Sequence, residues 1–156
     1  MADKLVSATT TVAAPPTVVF AILTDPRQHA RIDGSGSVGD VIEGPDRLTG
    51  KGDLFGVHMR LFGVPYRITN RVVELEPDRR IAWRHFGGHR WRYELEETPA
   101  GGTRVTETFD YTHYNAVWST FIRATGFPGR NRKGIESTLV RLKRCAEEDA
   151  AEQASA

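Results

Sequence analysis

The chain has 156 residues, with 21 basic and 20 acidic side chains and a formal net charge of +1. This length suits one domain whose core needs no disulfide, and the balanced charge excludes a general attraction to nucleic acid or anionic membranes. Cys145 is the single cysteine, the N-terminus lacks an apolar signal region, and the longest apolar run, Val18 to Leu23, is too short to span a bilayer. We therefore expect a cytoplasmic protein with no integral membrane segment and no nucleic-acid partner. The sequence makes no prediction of oligomeric state.

The first predicted elements are one strand and two helices. Lys4 to Val12 is rich in Val and Thr, which predicts a strand that Pro15 and Pro16 end. Thr17 to Thr24 is apolar nearly all round and predicts a well-buried helix. After the break at Asp25-Pro26, a second short helix is predicted over Arg27 to Ile32.

The stretch GSGSVG, Gly34 to Gly39, fits the G-x-G-x-x-G pattern of dinucleotide-binding proteins. That chemistry needs a strand leading into the glycines and a helix starting on them, so that backbone N–H groups meet phosphate. Here a predicted helix precedes the glycines and a predicted strand, Asp40 to Glu43, follows them. The order is reversed, so we predict a loop that does not bind phosphate.

From Gly52 to Thr112 the sequence predicts strand after strand, separated by short turns rich in Gly and Pro. Short connections favour an antiparallel meander. The predicted strands are Leu54 to Leu61, Tyr66 to Leu75, Arg80 to Phe86, His89 to Glu96 and Thr103 to Thr112.

Two helices are predicted at the C-terminal end. Asn115 to Thr125 forms a short helix capped by Asn115, with an apolar face made of Val117, Trp118, Phe121 and Ile122. Gly126 to Gly129 ends it. Lys133 to Glu148 is a longer helix with the apolar stripe Ile135, Leu139, Leu142 and Ala146. We expect one domain over residues 1–149 and a frayed tail over residues 150–156.

Four stretches carry a resemblance to a known superfamily: VAAPPTVVFAILTDP, VVELEPDRRIAWRHF, GGTRVTETFDY and GIESTLVRLKRCAEE. Through them nearly the whole chain resembles the START-like, or helix-grip, superfamily (SRPBCC), which includes polyketide cyclases and dehydrases and the Bet v 1-like proteins. The resemblance implies an α+β fold, a curved antiparallel sheet of six to seven strands wrapped around a long C-terminal helix, with two short helices after strand 1. It also implies a hydrophobic cavity between sheet and helix, with the Gly34 to Gly39 loop at one lip. We expect the Asn115 to Pro128 segment to cover the mouth.

The strand register can be predicted from matching faces. Glu94 opposite Arg104 makes an opposite-charge pair, and Trp83 opposite Trp91 keeps the aromatics together. The second pairing requires a three-residue turn, Phe86-Gly87-Gly88, and a two-residue Gly87-Gly88 turn is the alternative. The predicted concave face carries Ile81, Trp83, His85, His89, Trp91, Tyr93, Leu95, Val105, Glu107, Phe109 and Tyr111. The opposite face is predicted to be solvated.

Ten residues are candidates for binding a ligand and two for catalysis. The binding candidates are Trp83, His89, Trp91, Tyr93, Phe109, Tyr111, Trp118, Phe121, Ile135 and Leu139. The catalytic candidates are Glu107 and His85. We expect Glu107 to lie beside Trp91 and Trp83 with a raised pKa, unless an arginine such as Arg60 or Arg71 pairs with it. The H-x-x-x-H spacing of His85 and His89 is typical of a metal site only on a helix, where the two share a face. In a hairpin they could still face each other, but no third ligand is evident beyond the distant His113, so no metal is expected. No cofactor is expected either.

Three functions compete, because the fold is common to all of them. The first is binding of a small hydrophobic molecule (aromatic, polyketide-like or lipid-like) in the internal cavity. The second is a cofactor-free cyclase, aromatase or dehydratase that uses an acid or base in that cavity. The third is a co-chaperone-like interaction domain, in which the basic cluster Arg123, Arg130, Arg132 and Lys133 serves a partner. The small number of polar cavity residues and the lack of a strict motif favour binding.

Overall fold

The computed structural model of the chain describes residues 5–84 and 89–156, except the side chains at positions 122, 123, 127 and 128. Seven strands and four α-helices follow one another in the described residues. In chain order they are β1 (Leu5–Val12), α1 (Pro16–Leu23), a short 3-10 turn (Pro26–Gln28), α2 (His29–Ile32), β2 (Val38–Glu43), β3 (Leu54–Leu61), β4 (Val64–Glu76), β5 (Arg80–Arg84), β6 (Arg90–Glu97), β7 (Thr103–Asp110), α3 (Ala116–Ala124) and α4 (Phe127–Ser155).

The strands form one antiparallel sheet in the order β1-β7-β6-β5-β4-β3-β2. Strands β2 to β7 are a meander in which each strand pairs with the next, as the short turns predicted. Strand β1 pairs instead with β7, at the far edge from β2. The predicted α+β helix-grip architecture is confirmed, with an open seven-stranded sheet, short helices after β1 and a long C-terminal helix.

Helix α4 packs against β1 and also contacts α1, α2 and β7. Its predicted stripe of Ile135, Leu139, Leu142 and Ala146 is buried. The helix is longer than predicted, because it begins at Phe127 and runs through the expected tail to Ser155. Gly126, with a left-handed φ of 75°, separates it from α3, and a proline in its first turn is tolerated there. No helix in the described residues is both long and apolar enough to cross a membrane.

The predicted register is right between β5 and β6 and wrong between β6 and β7. Trp83 lies opposite Trp91, as predicted, while the turn at residues 85–88 is outside the described residues. Arg104 lies opposite Glu96, not Glu94, so the β6–β7 register is shifted by two residues. The turn explains the shift, because Thr98 N–H bonds Gly102 O at 3.0 Å and closes the hairpin. A two-residue shift keeps every side chain on its predicted face.

The opposite face of the sheet is less solvated than predicted. Asp110 and Thr108 are buried there. Arg92 explains part of this burial, since its guanidinium lies 3.1 Å from Asp110 and 2.9 Å from Glu74. These ion pairs connect β4, β6 and β7 on the face of the sheet opposite the concave face.

Candidate functional site

The concave face carries a continuous row of aromatic rings. Trp91 lies 4.8 Å from Phe109, and Phe109 lies 5.5 Å from Tyr111, between ring centroids. Trp83 lies 5.7 Å from Tyr93. Tyr93, Phe109 and Tyr111 are buried, whereas Trp83 and Trp91 are half-buried. The row therefore runs from the interior to the surface at the Trp83–Trp91 pair.

Glu107 lies in the buried part of this row, directly opposite Tyr93 on the neighbouring strand. The Tyr93 hydroxyl donates a hydrogen bond of 2.9 Å to Glu107 Oε1. Glu107 Oε2 is buried and has no hydrogen-bond partner among the described residues. The predicted neighbour was Trp91, and the two-residue register shift replaces it with Tyr93. The arginine alternative is wrong, because Arg60 and Arg71 are both exposed.

Burial raises the pKa of Glu107 to about 8. The hydrogen bond from Tyr93 opposes this rise, and the negative charge of Asp33 adds to it. The direction matches the expectation from sequence, since desolvation penalises a carboxylate. At neutral pH the Glu107 side chain is therefore mainly a neutral carboxylic acid. Because Tyr93 donates to Oε1, the acid proton belongs on Oε2.

The Gly-rich loop approaches this site from the α4 side. Gly34 N–H donates to Thr138 Oγ1 at 2.9 Å, and a Cβ at Gly34 would lie 2.5 Å from the backbone of Ser137. Asp33 accepts hydrogen bonds from Ser35 and from Val38 N–H, which close the loop on itself. Helix α2 precedes the loop and β2 follows it. That order is the reverse of a phosphate-binding loop, as predicted.

Sequence reasoning missed His29. This residue of α2 is buried, and its ring stacks on Trp83 at 4.7 Å and meets Phe55 edge-on at 5.3 Å. Its Nε2 lies 2.8 Å from Leu23 O, so Nε2 carries a proton that it donates to that carbonyl. Burial lowers the pKa of His29 and keeps the ring neutral. A lone histidine in a four-residue helix carries no pattern that could have placed it against the sheet.

Of the other histidines, His89 is half-buried at the surface end of the aromatic row. Its Nδ1 lies 2.9 Å from the Tyr114 hydroxyl, and burial lowers its pKa to about 4. His58 is exposed. His85, the second catalytic candidate, lies outside the described residues.

The prediction that the apolar face of α3 points towards the interior is wrong. Trp118 and Phe121 are 55% and 59% exposed, so they do not wall the interior, whereas Ser119 on the other side of the helix is buried. Asn115 does cap the helix, since its Oδ1 accepts from Trp118 N–H at 3.0 Å. Ile135 and Leu139 of α4 are buried as expected. An amphipathic pattern identifies which residues share a face but not what covers that face.

The surface of the described residues includes clefts on α4 and beside the Gly-rich loop. One runs along α4 beside Val140 and Glu147, and the other, of about 300 Å³, lies between the Gly-rich loop and His58. Both lie away from the Tyr93–Glu107 pair. An internal cavity around that pair therefore stays a prediction.

Comparison with known proteins gives a consistent result. Residues 4–147 match the family described as "Polyketide cyclase / dehydrase and lipid transport". The protein Rv0088 of Mycobacterium tuberculosis is 48% identical over 139 residues, which cover 88% of this chain and 62% of that protein. The chain thus spans less than two thirds of the length of this relative.

Solved structures share the fold at low sequence identity. Protein NE0264 from Nitrosomonas europaea has a TM-score of 0.73 at 19% identity, over 97% of this chain and 99% of that one. The AHSA1-like protein from Aeromonas hydrophila has a TM-score of 0.65 at 22% identity, over 93% of each chain. These likenesses support the START-like architecture and leave the chemistry to the chain's own residues.

Proposed function

Since the chain belongs to the polyketide cyclase/dehydrase and lipid transport family, we propose that it binds a small, mainly apolar molecule bearing a carbonyl group between the sheet and α4. One observation carries the proposal: a buried carboxyl oxygen, Glu107 Oε2, lacks a hydrogen-bond partner among the described residues and lies in an aromatic wall. An unsatisfied buried polar group costs about 1–3 kcal/mol, so a ligand that supplies the partner gains binding energy.

The protonation state of Glu107 selects the polar group of the ligand. With a pKa of about 8, the side chain is protonated at neutral pH. Tyr93 occupies Oε1, so Oε2–H is the donor that needs an acceptor. A ketone or similar carbonyl oxygen is such an acceptor, while the aromatic rings of Trp91 and Phe109 suit a flat apolar body.

The entrance to this binding site lies at three half-buried side chains, Trp83, Trp91 and His89. They connect the surface to the buried Phe109 and Tyr93, and their rings contact those neighbours directly. A ligand that enters here contacts tryptophan first, which supplies an optical readout.

A matched pair of probes tests the proposal, namely 2-acetylnaphthalene and 2-isopropylnaphthalene, which differ in the carbonyl. We expect both to quench tryptophan fluorescence, with the ketone bound about tenfold more tightly, a difference typical of one hydrogen bond. Glu107→Gln keeps a donor and retains the preference, whereas Glu107→Leu loses it. Equal affinities in the wild type, or a preference that survives Glu107→Leu, would contradict the proposal.

A second candidate function is cyclase- or dehydratase-type catalysis, favoured by the raised pKa of Glu107. A carboxylic acid with a pKa of about 8 can give its Oε2 proton to a bound carbonyl oxygen and later recover it near neutral pH. The test uses a molecule that co-purifies with the protein, identified by mass spectrometry. Glu107→Gln is expected to bind it normally and to abolish turnover, because an amide donates a hydrogen bond but transfers no proton. Unchanged turnover in this variant would remove Glu107 as the acid.

A further inference from the structure

Large apolar side chains are exposed on α3 and at the turn between β3 and β4. On α3, Val117 is 77%, Trp118 55% and Phe121 59% exposed. At the turn between β3 and β4, Phe62 is 77% and Val64 63% exposed. We call these five residues the α3–hairpin patch. Exposed apolar groups of this size clustered on one surface are characteristic of a binding site.

The first turn of α4 joins the two halves of the patch. Helix α4 starts directly after α3, and the Cζ of Arg130 lies 4.5 Å from the centre of the Phe62 ring. Trp118 and Phe121 pack edge to face at 5.9 Å, so the α3 part is one continuous aromatic surface. The hairpin turn therefore contacts the first turns of α4, which directly follow α3 in the chain.

The two chain segments that carry the patch contain basic but no acidic side chains, although the whole chain is nearly neutral. The sequence has no acidic residue from Tyr111 to Ile135 and none from Leu54 to Val73. Arg130, Arg132 and Lys133 are exposed in the first turns of α4, and Arg130 and Lys133 share a helix face at i,i+3 spacing. Aromatic and aliphatic groups with these cations beside them complement an anionic, apolar surface, although the exposed Asp40 lies in a cleft with Arg60 and Pro65 near the hairpin.

We propose that the α3–hairpin patch binds the surface of a bilayer that contains anionic phospholipid. Its rings enter the boundary between headgroups and acyl chains, and Arg130 and Lys133 contact lipid phosphates. A second copy of the chain fits the patch poorly, because a two-fold dimer at this surface brings the same cations face to face. The proposal does not depend on the interior ligand. It does place the bilayer next to Tyr114, which precedes α3 and bonds His89 at the entrance.

Co-sedimentation with phosphatidylcholine vesicles, with and without phosphatidylglycerol, tests the apolar contribution. We expect binding that requires phosphatidylglycerol, weakens as salt is added and shifts tryptophan emission to the blue. Trp118→Ala should weaken binding on the order of tenfold, because it removes a large side chain that enters the bilayer. Val140→Ser is the matched control, since Val140 is 69% exposed on α4, well beyond Arg130 and near the acidic Glu147.

A charge pair of variants tests the electrostatic contribution. Lys133→Ala should weaken binding about fivefold, the typical effect of one cation near an anionic bilayer. Arg144→Ala, an exposed cation farther along α4, should have no effect. Glu107→Leu should bind vesicles like the wild type, which separates this surface from the proposed interior site.

Three results would overturn the proposal. Equal binding to vesicles without phosphatidylglycerol would show that binding does not require anionic phospholipid. An equal loss of vesicle binding in Val140→Ser and Trp118→Ala would show that the binding surface is not the α3–hairpin patch. A lipid-free dimer, detected by light scattering and dissociated by Trp118→Ala, assigns the patch to self-association instead.

Discussion

The two carboxyl oxygens of Glu107 have different surroundings. Oε1 accepts from Tyr93, and Oε2 has no partner among the described residues. This asymmetry determines which oxygen carries the proton. Because the pKa of Glu107 is about 8, its charge changes within a pH range that experiments can reach. Two substitutions separate the contributions of burial and of the tyrosine hydrogen bond.

Glu107→Gln should remove a pH dependence of stability. Below pH 4.5 the folded and unfolded wild-type chains both carry the proton, and between 4.5 and about 8 only the folded chain keeps it. Wild-type stability therefore falls by about 1.4 kcal/mol per pH unit across this range through Glu107, and the variant lacks that slope. Urea unfolding at a series of pH values measures the difference. Parallel curves for the two proteins would show that Glu107 titrates normally.

Tyr93→Phe should raise the pKa of Glu107 further. The tyrosine hydrogen bond opposes the effect of burial, and the phenylalanine variant leaves both carboxyl oxygens without that donor. We also expect a loss of about 1–3 kcal/mol in the free energy of unfolding below the pKa. Carboxyl NMR titration of Glu107 gives the first quantity and urea unfolding the second. An unchanged or lower pKa in the variant would contradict the stabilisation of the charged form by this hydrogen bond.

At the scale of elements, the Gly-rich loop is held against α4 by one close approach. Gly34→Ala should destabilise the protein by about 2 kcal/mol or more, because its Cβ would overlap the backbone of Ser137 at 2.5 Å. Gly134→Ala, in the middle of α4, is the contrasting variant. Its Cβ would meet Ser35 at an ordinary 3.5 Å, so the gain in helix propensity of about 1 kcal/mol should stabilise the protein. Thermal unfolding distinguishes the two, and a neutral Gly34→Ala would show that the loop moves freely from the helix.

The sequence predicts the elements and their faces well because periodicity and turn residues are local properties. Strand parity correctly placed Tyr93 and Glu107 inside. The β6–β7 register depended on the length of the Thr98 to Gly102 turn, and a single charge pair predicted it wrongly. The outward orientation of α3 and the contact between His29 and Trp83 depend on tertiary packing. No pattern within α3 or α2 encodes either of them.

At the scale of the whole molecule, two histidines and Glu107 have opposite effects on the pH dependence of stability. Together they predict a stability maximum near pH 6.5. Burial lowers the pKa values of His29 and His89, so below 6.5 the unfolded chain takes up protons that the folded chain refuses, and stability falls as pH falls. The raised pKa of Glu107 makes stability fall as pH rises towards about 8. Between pH 4.5 and 6.5 the lowered pKa of His89 offsets the effect of Glu107, and the lowered pKa of His29 makes stability rise towards pH 6.5.

Chemical unfolding across the pH range measures this maximum, and a variant tests its origin. His89→Asn leaves one buried histidine to oppose Glu107, so the acid side of the profile should flatten while the alkaline side stays unchanged. A profile that rises steadily to pH 8 would contradict the balance of these three groups.

The pairing of the first strand with the last has a consequence for synthesis. The ribosome delivers Leu5–Val12 before the other six strands, but its partner Thr103–Asp110 is made after them. The meander from β2 to β7 pairs neighbours and can assemble as it emerges, whereas β1 must wait with Val6 and Val12 uncovered. Helix α4, which covers β1, is made after β7. A nascent chain that stops after β7 therefore exposes an apolar sheet face, and one that lacks β1 exposes the edge of β7, where another strand can pair.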